Sequence, residues 1–261
     1  MRITANGIDV YYEVTGSGPW LTFSHSLATD LSMWSGQVAE FSRRFRVLTY
    51  DTRGHGRTGA PAGAYTLDAL AQDLKGLLDG LGVKQTHFVG LSMGGMIGQT
   101  FALKFPGMFA TMTLADTTSR YAPEAETLWG ARIKTALEQG MEPLVEGTLG
   151  RWFTGPYRAA HPQRVAEVAR MIRATPVPGY VGCCHALPKI NATARLKELA
   201  LPILVLCGEQ DMGTPKAMAE EIHRNAPGSE LVILPEAAHL SNLEQPERFN
   251  QALGAFLARH S

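Results

Sequence analysis

The chain is poor in cysteine, carries no net charge, and has no long apolar run. Only Cys183, Cys184 and Cys207 occur in 261 residues. An odd number with one adjacent pair builds neither a disulfide framework nor a zinc ribbon, and it fits a reduced, cytoplasmic protein. Lys+Arg and Asp+Glu are both 24, which excludes the basic surplus of a nucleic-acid or anionic-membrane binder. No run of about 18 apolar residues exists to span a bilayer. The N-terminus, Met1-Arg2-Ile3-Thr4-Ala5-Asn6-Gly7, does not read as a signal peptide and enters a strand almost at once. His spacings of the HxxH or HxxxH kind are missing, so no metal is expected. Internal repeats and low-complexity segments are also missing.

What is present is a core. With 45% hydrophobic and 18% charged residues, the chain can bury one large domain. Ile8–Val14 alternates like a half-buried strand and ends at Gly16-Ser17-Gly18-Pro19. Strands are expected at Trp20–Phe23, Phe45–Tyr50, Thr86–Leu91, Thr111–Ala115, Ile203–Cys207 and Glu230–Leu234. Helices are expected near Met33–Arg43, from a Thr66 cap to a Gly82 stop, and over Glu244–Arg259. In the second of these, Leu67, Leu70, Ala71, Leu74, Leu77, Leu78 and Leu81 form one apolar stripe. Strands and helices that alternate, with strands apolar throughout, specify an α/β fold: a mainly parallel sheet covered by helices on both faces. From residue 119 to 190 the pattern is helical with no good strand. The expected organisation is therefore a core of residues 1–118 and 191–261, with 119–190 as a helical cap over the sheet's C-terminal edge, where ligands bind in such sheets.

The chemistry centres on Gly90-Leu91-Ser92-Met93-Gly94. An apolar strand precedes it and a helix-like stretch follows. A serine at the apex of a strand–turn–helix sits in strained backbone with its hydroxyl presented above the sheet, whereas an N-cap serine in a Gly-rich turn is the plainer alternative. A serine hydroxyl needs a base, and the base needs an orienting acid. His239, after Glu230–Leu234, is the expected base. Asp211, after Ile203–Cys207, is the favoured acid over Asp116 and, third, Glu209. His87 and His55 read as structural. The oxyanion of an acyl-transfer transition state is expected to be held by two backbone N–H groups, those of Met93 and Leu27. In the cap, Trp129 and Arg132 share a helix face and Arg151-Trp152 is a second Arg–aromatic pair, candidates for binding a substrate carboxylate.

Gly90-Leu91-Ser92-Met93-Gly94-Gly95, Asp51-Thr52-Arg53-Gly54-His55-Gly56, Gly208-Glu209-Gln210-Asp211 and Ala238-His239 together resemble the α/β-hydrolase superfamily over the whole chain. Within it, Ser24–Trp34, Tyr50–Gly56, Arg151-Trp152-Phe153-Thr154 and Gly179-Tyr180 with Cys184 are most similar to the 3-oxoadipate enol-lactonases. The sequence departs from the common His-Gly after the third strand, having His25-Ser26, and has His25 where those lactonases tend to have Asn. The resemblance implies hydrolysis of a small, anionic enol-lactone through an acyl-serine, without a cofactor. Broad carboxylesterase or perhydrolase activity and C–C hydrolysis of a ring-fission diketone share the same triad and stay open, as does a non-catalytic binder of small molecules. No oligomeric state follows from the sequence.

Overall fold

The computed structural model describes residues 1–260. Eight strands form one sheet: β1 (Arg2–Ala5), β2 (Ile8–Thr15), β3 (Trp20–Ser24), β4 (Arg46–Tyr50), β5 (Thr86–Leu91), β6 (Phe109–Ala115), β7 (Ile203–Gly208) and β8 (Glu230–Leu234). Their spatial order is β1-β2-β4-β3-β5-β6-β7-β8. The β1–β2 and β2–β4 pairs are antiparallel and every other pair is parallel. Because β3 and β5 lie side by side, the chain reverses its direction of travel across the sheet there, which opens a crevice at their C-terminal ends.

The helices are α1 (Ser35–Phe41), α2 (Leu67–Gly80), α3 (Met93–Lys104), α4 (Ala125–Gln139), α5 (Glu142–Trp152), α6 (Gly155–Ala160), α7 (Pro162–Ala174), α8 (Val177–Ala186), α9 (Lys216–Asn225), α10 (Ser241–Glu244) and α11 (Pro246–His260). Helices α2 and α3 pack together on one side of the sheet, and α1 packs with α11, which also touches β6, β7 and β8. The α2 stripe is buried from Leu67 to Leu78, Thr66 Oγ1 caps the helix by accepting from the Ala69 N–H, and Gly82 follows in left-handed backbone. Between β6 and β7 the chain forms the five helices α4–α8; its one strand-like feature is an isolated bridge between Arg120 and Asn191.

Three local features differ from the sequence reading. Strand β1 is separate from β2, joined by Asn6-Gly7 with both residues at positive φ, the hairpin signature that an Asn-Gly pair supplies. The helix expected at Met33–Arg43 is a 3₁₀ turn, Leu31–Trp34, followed by α1; Asp30 caps the turn by accepting from the Ser32 N–H. The helix expected over Glu244–Arg259 breaks at Gln245, because Pro246 brings no N–H to continue α10.

Aromatic rings fix the strand–turn–helix that carries Ser92. Phe109 of β6 stacks on Phe88 of β5 and on Phe101 of α3, both with ring centroids 4.5 Å apart. Phe101→Ala leaves a cavity at the α3 end of this stack, and urea unfolding should report a loss of about 3–5 kcal/mol.

Candidate active site

Strand β5 ends at Leu91, and Ser92 turns the chain into α3 at φ +54° and ψ −112°. Such a conformation costs a non-glycine residue about 1–3 kcal/mol. It is over-determined: the Ser92 N–H donates to the Ala115 carbonyl at 2.9 Å, and the Ser92 carbonyl accepts from Thr117 Oγ1 at 2.7 Å. Glycine is required on either side. A Cβ on Gly90 would lie 2.4 Å from the Gly94 carbonyl carbon, and one on Gly94 would lie 2.2 Å from the Ser24 carbonyl oxygen.

Asp211 leaves the end of β7 and folds its carboxylate back onto its own loop. Oδ1 accepts from the N–H groups of Gly213 (2.7 Å) and Thr214 (3.0 Å), and Oδ2 from Thr214 Oγ1 (2.9 Å). His239 follows β8, and its Nδ1 lies 2.8 Å from Asp211 Oδ2. Burial alone would lower the His239 pKa, but the charge and hydrogen bond of Asp211 outweigh it, so the imidazole is held above its ordinary value. With Nδ1 committed to Asp211, Nε2 is free to accept a proton. Trp152 stacks near the ring at 5.9 Å between centroids.

The loop after β3 is fastened by two buried histidines. His25 Nε2 accepts from the Thr52 N–H (2.9 Å) and its Nδ1 faces the Ser26 carbonyl (2.7 Å). His55 Nε2 accepts from the N–H of Ala28 (3.0 Å), a residue at φ +56°. Burial pushes the His55 pKa down to about 3 and lowers that of His25, so both rings stay neutral and can accept these N–H groups. Between these anchors the Leu27 N–H donates to no group among the described residues, and neither does that of Met93 at the start of α3.

Ser92, His239, Leu27, Trp129, Arg132, Arg151 and Trp152 line one cavity of about 50 Å³ between the sheet edge and helices α4, α5, α7 and α8. Room for one water requires about 10–15 Å³, so the space suits a small molecule. Arg132 lies over the Trp129 ring, 4.6 Å from its centroid. Arg151 reaches Thr148 Oγ1 at 3.3 Å. Burial and then the neighbouring Arg132 charge lower the Arg151 pKa. Among the described residues, neither guanidinium has a carboxylate partner.

Asp116 does not reach His239. Its Oδ1 accepts from the Gly208 N–H (2.7 Å) and its Oδ2 from Ser241 Oγ (2.5 Å). Glu209 is exposed, and His87 bonds Thr111 Oγ1 within the sheet. Asp116, Cys207 and Asp211 form one group whose potential metal-ligating atoms lie within 4.8 Å of one another, but all four carboxylate oxygens already accept protein hydrogen bonds.

Several contributors escaped the sequence reading. Tyr121, and Tyr180, which the sequence reading named only within the Gly179-Tyr180 resemblance and not as a site residue, line the cavity, with their phenols pushed up in pKa by burial. Asp211-Met212-Gly213-Thr214 carried a signal, since an Asp side chain commonly accepts from the backbone two residues on. Glu244 carried none: it accepts from the Ala238 N–H (2.5 Å), the Thr154 N–H (2.8 Å) and Thr154 Oγ1 (2.9 Å), joining the His239 loop to the start of α6.

The family profile described as alpha/beta hydrolase fold matches residues 19–246. The chain is 38% identical to 3-oxoadipate enol-lactonase 2 of Acinetobacter baylyi, over 98% of this chain and 96% of that protein. Among solved structures, the enol-lactonase from Burkholderia xenovorans LB400 superposes with a TM-score of 0.95 at 34% identity, covering 99% of this chain and 100% of that one. A thermophilic esterase from Thermogutta terrifontis, solved with malate bound, superposes at 0.96 with 31% identity, covering both chains completely.

Glu244→Gln puts an amide N–H against the Ala238 or Thr154 donors. Denaturant unfolding should show a loss of about 1–3 kcal/mol.

Proposed function

This chain belongs to the alpha/beta hydrolase fold family, and on that premise we propose that it is a serine hydrolase opening a small anionic lactone through an acyl-Ser92 intermediate, with 3-oxoadipate enol-lactone as its preferred substrate. The observation that carries the reading is the pair of arginines without carboxylate partners, Arg132 and Arg151, in the same small cavity as Ser92 and His239. Two cations facing each other in a half-buried site repel, and a bound carboxylate relieves that repulsion. The enol-lactonase relatives and the malate-bound esterase support an anionic substrate.

In this mechanism His239 Nε2 takes the Ser92 Oγ proton as Oγ attacks the lactone carbonyl. Asp211 holds the tautomer and stabilises the imidazolium. The Leu27 and Met93 N–H groups receive the oxyanion. Collapse breaks the ring C–O bond. The enol oxygen leaves with the proton from His239, and the product enol becomes the ketone. Water, deprotonated by His239, then attacks the acyl-serine and releases the second carboxylate. The helices of 119–190 act as the cap that sets substrate choice.

Steady-state comparison of the enol-lactone, p-nitrophenyl acetate and a ring-fission diketone tests the assignment. The lactone should have the highest kcat/KM, and a higher value for either competitor would overturn it. Ser92→Ala should fold and lose turnover of all three. Arg132→Ala and Arg151→Ala should each raise KM for the lactone roughly tenfold to a hundredfold, with a much smaller effect on the uncharged acetate ester. Imidazolium cannot accept the Ser92 proton, so kcat/KM should fall as pH drops through a value above the ordinary imidazole value of about 6.5.

A further inference from the structure

We propose that Asp116 is a positioning residue that works as a neutral carboxylic acid, clamping together the loops that carry Asp211 and His239 and leaving the negative charge to Asp211. The clamp is visible in its two bonds. Gly208, whose N–H meets Oδ1, begins the loop to Asp211; Ser241, whose hydroxyl meets Oδ2, lies two residues after His239. Asp116 is fully buried, and its φ of +45° is held by its own N–H donating to the Leu206 carbonyl at 2.9 Å.

The assignment of charge follows from counting donors. The ligating atoms of Asp116, Asp211 and Cys207 lie within 4.8 Å of one another, and two buried carboxylates that close do not both ionise. Asp211 receives two N–H groups, the Thr214 hydroxyl and His239 Nδ1. Asp116 receives one N–H and one hydroxyl, and that hydroxyl can equally accept from a protonated Oδ2. The charge therefore settles on Asp211 and the proton on Asp116. The groups facing Asp116 offer its ionised form no free counter-charge. Burial raises the thiol pKa of Cys207 on β7, so it brings no cation, and the positive charge available on His239 is paired to Asp211. Burial, and next the Asp211 charge, push the Asp116 pKa up to about 8. Asparagine reproduces a neutral acid here: its carbonyl accepts from Gly208 and its amide donates to Ser241.

The clamp rests on the triad reading of Ser92, Asp211 and His239, and the test separates the two. Thermal unfolding of wild type and Asp116→Asn is followed from about pH 5 to about pH 8. In the unfolded chain an aspartate ionises near its ordinary value of about 3.9, while the folded protein keeps the Asp116 proton until about pH 8, so wild-type stability falls as pH rises between them. The melting temperature of the Asn variant relative to wild type should therefore climb steadily across this range. A pH-independent difference between the two would overturn the neutral-acid assignment whatever the protein hydrolyses. In ester hydrolysis at neutral pH, Asp116→Ala should lower kcat about tenfold with KM little changed, and Asp116→Asn should recover most of that loss. An Asn variant as slow as the Ala variant would show that the charge, not the clamp, is needed. Loss of turnover in Ser92→Ala stands apart from both readouts and tests the triad itself.

Discussion

The structure depends on one strained residue. Ser92 holds a left-handed backbone at φ +54° that no serine adopts without being forced. The force comes from three directions: the Ala115 carbonyl and Thr117 hydroxyl grip its peptide groups, and two glycines leave no side chain to relieve the turn. The stacked rings of Phe88, Phe109 and Phe101 lock the strand before it and the helix after it. Hydrophobic burial at the sheet thus stores strain at its edge, and the strain presents Oγ to the cavity. The same turn leaves the first N–H of α3 unbonded, next to the atom that would attack.

Around that serine the fold buries many polar groups, and those that fasten the site's loops have partners within the protein, whereas the buried Ser26 Oγ and Thr52 Oγ1 have none among the described residues. His25 and His55 stay neutral because burial disfavours their charged forms, and as acceptors they hold the Leu27 loop against the loop after β4. His239 goes the other way, because a buried carboxylate lies 2.8 Å from it. Glu244 and Asp116 tie the His239 loop to the start of α6 and to the end of β7. The two cavity arginines have no carboxylate partner among the described residues. The Arg132 charge lowers the pKa of Arg151, and the proposed substrate carboxylate would supply the anion that the protein does not.

Local pattern made much of this legible. The α2 stripe, the apolar parallel strands and the Gly-x-Ser-x-Gly turn are written in residue spacing, and the Asp and His follow strands that must end at the same sheet edge. Asp116 shows where pattern stopped. Sequence placed it, like Asp211, at a strand's C-terminal end and favoured Asp211 as the acid, and the partners of each carboxylate then show what Asp116 holds instead. Glu244 lies 90 residues from Thr154, and nothing near it in sequence signals the bond. The 3₁₀ turn at Leu31–Trp34 and the break before Pro246 are boundary effects, decided by a cap and by a missing N–H.

The central claim, that Ser92 carries the acyl group, is tested most directly by trapping it. Rapid acid quench during turnover of p-nitrophenyl acetate, followed by peptide mass mapping, should place one acetyl group on the peptide containing Ser92. An acetyl group on another residue, or full turnover with no covalent adduct at any time point, would contradict the account.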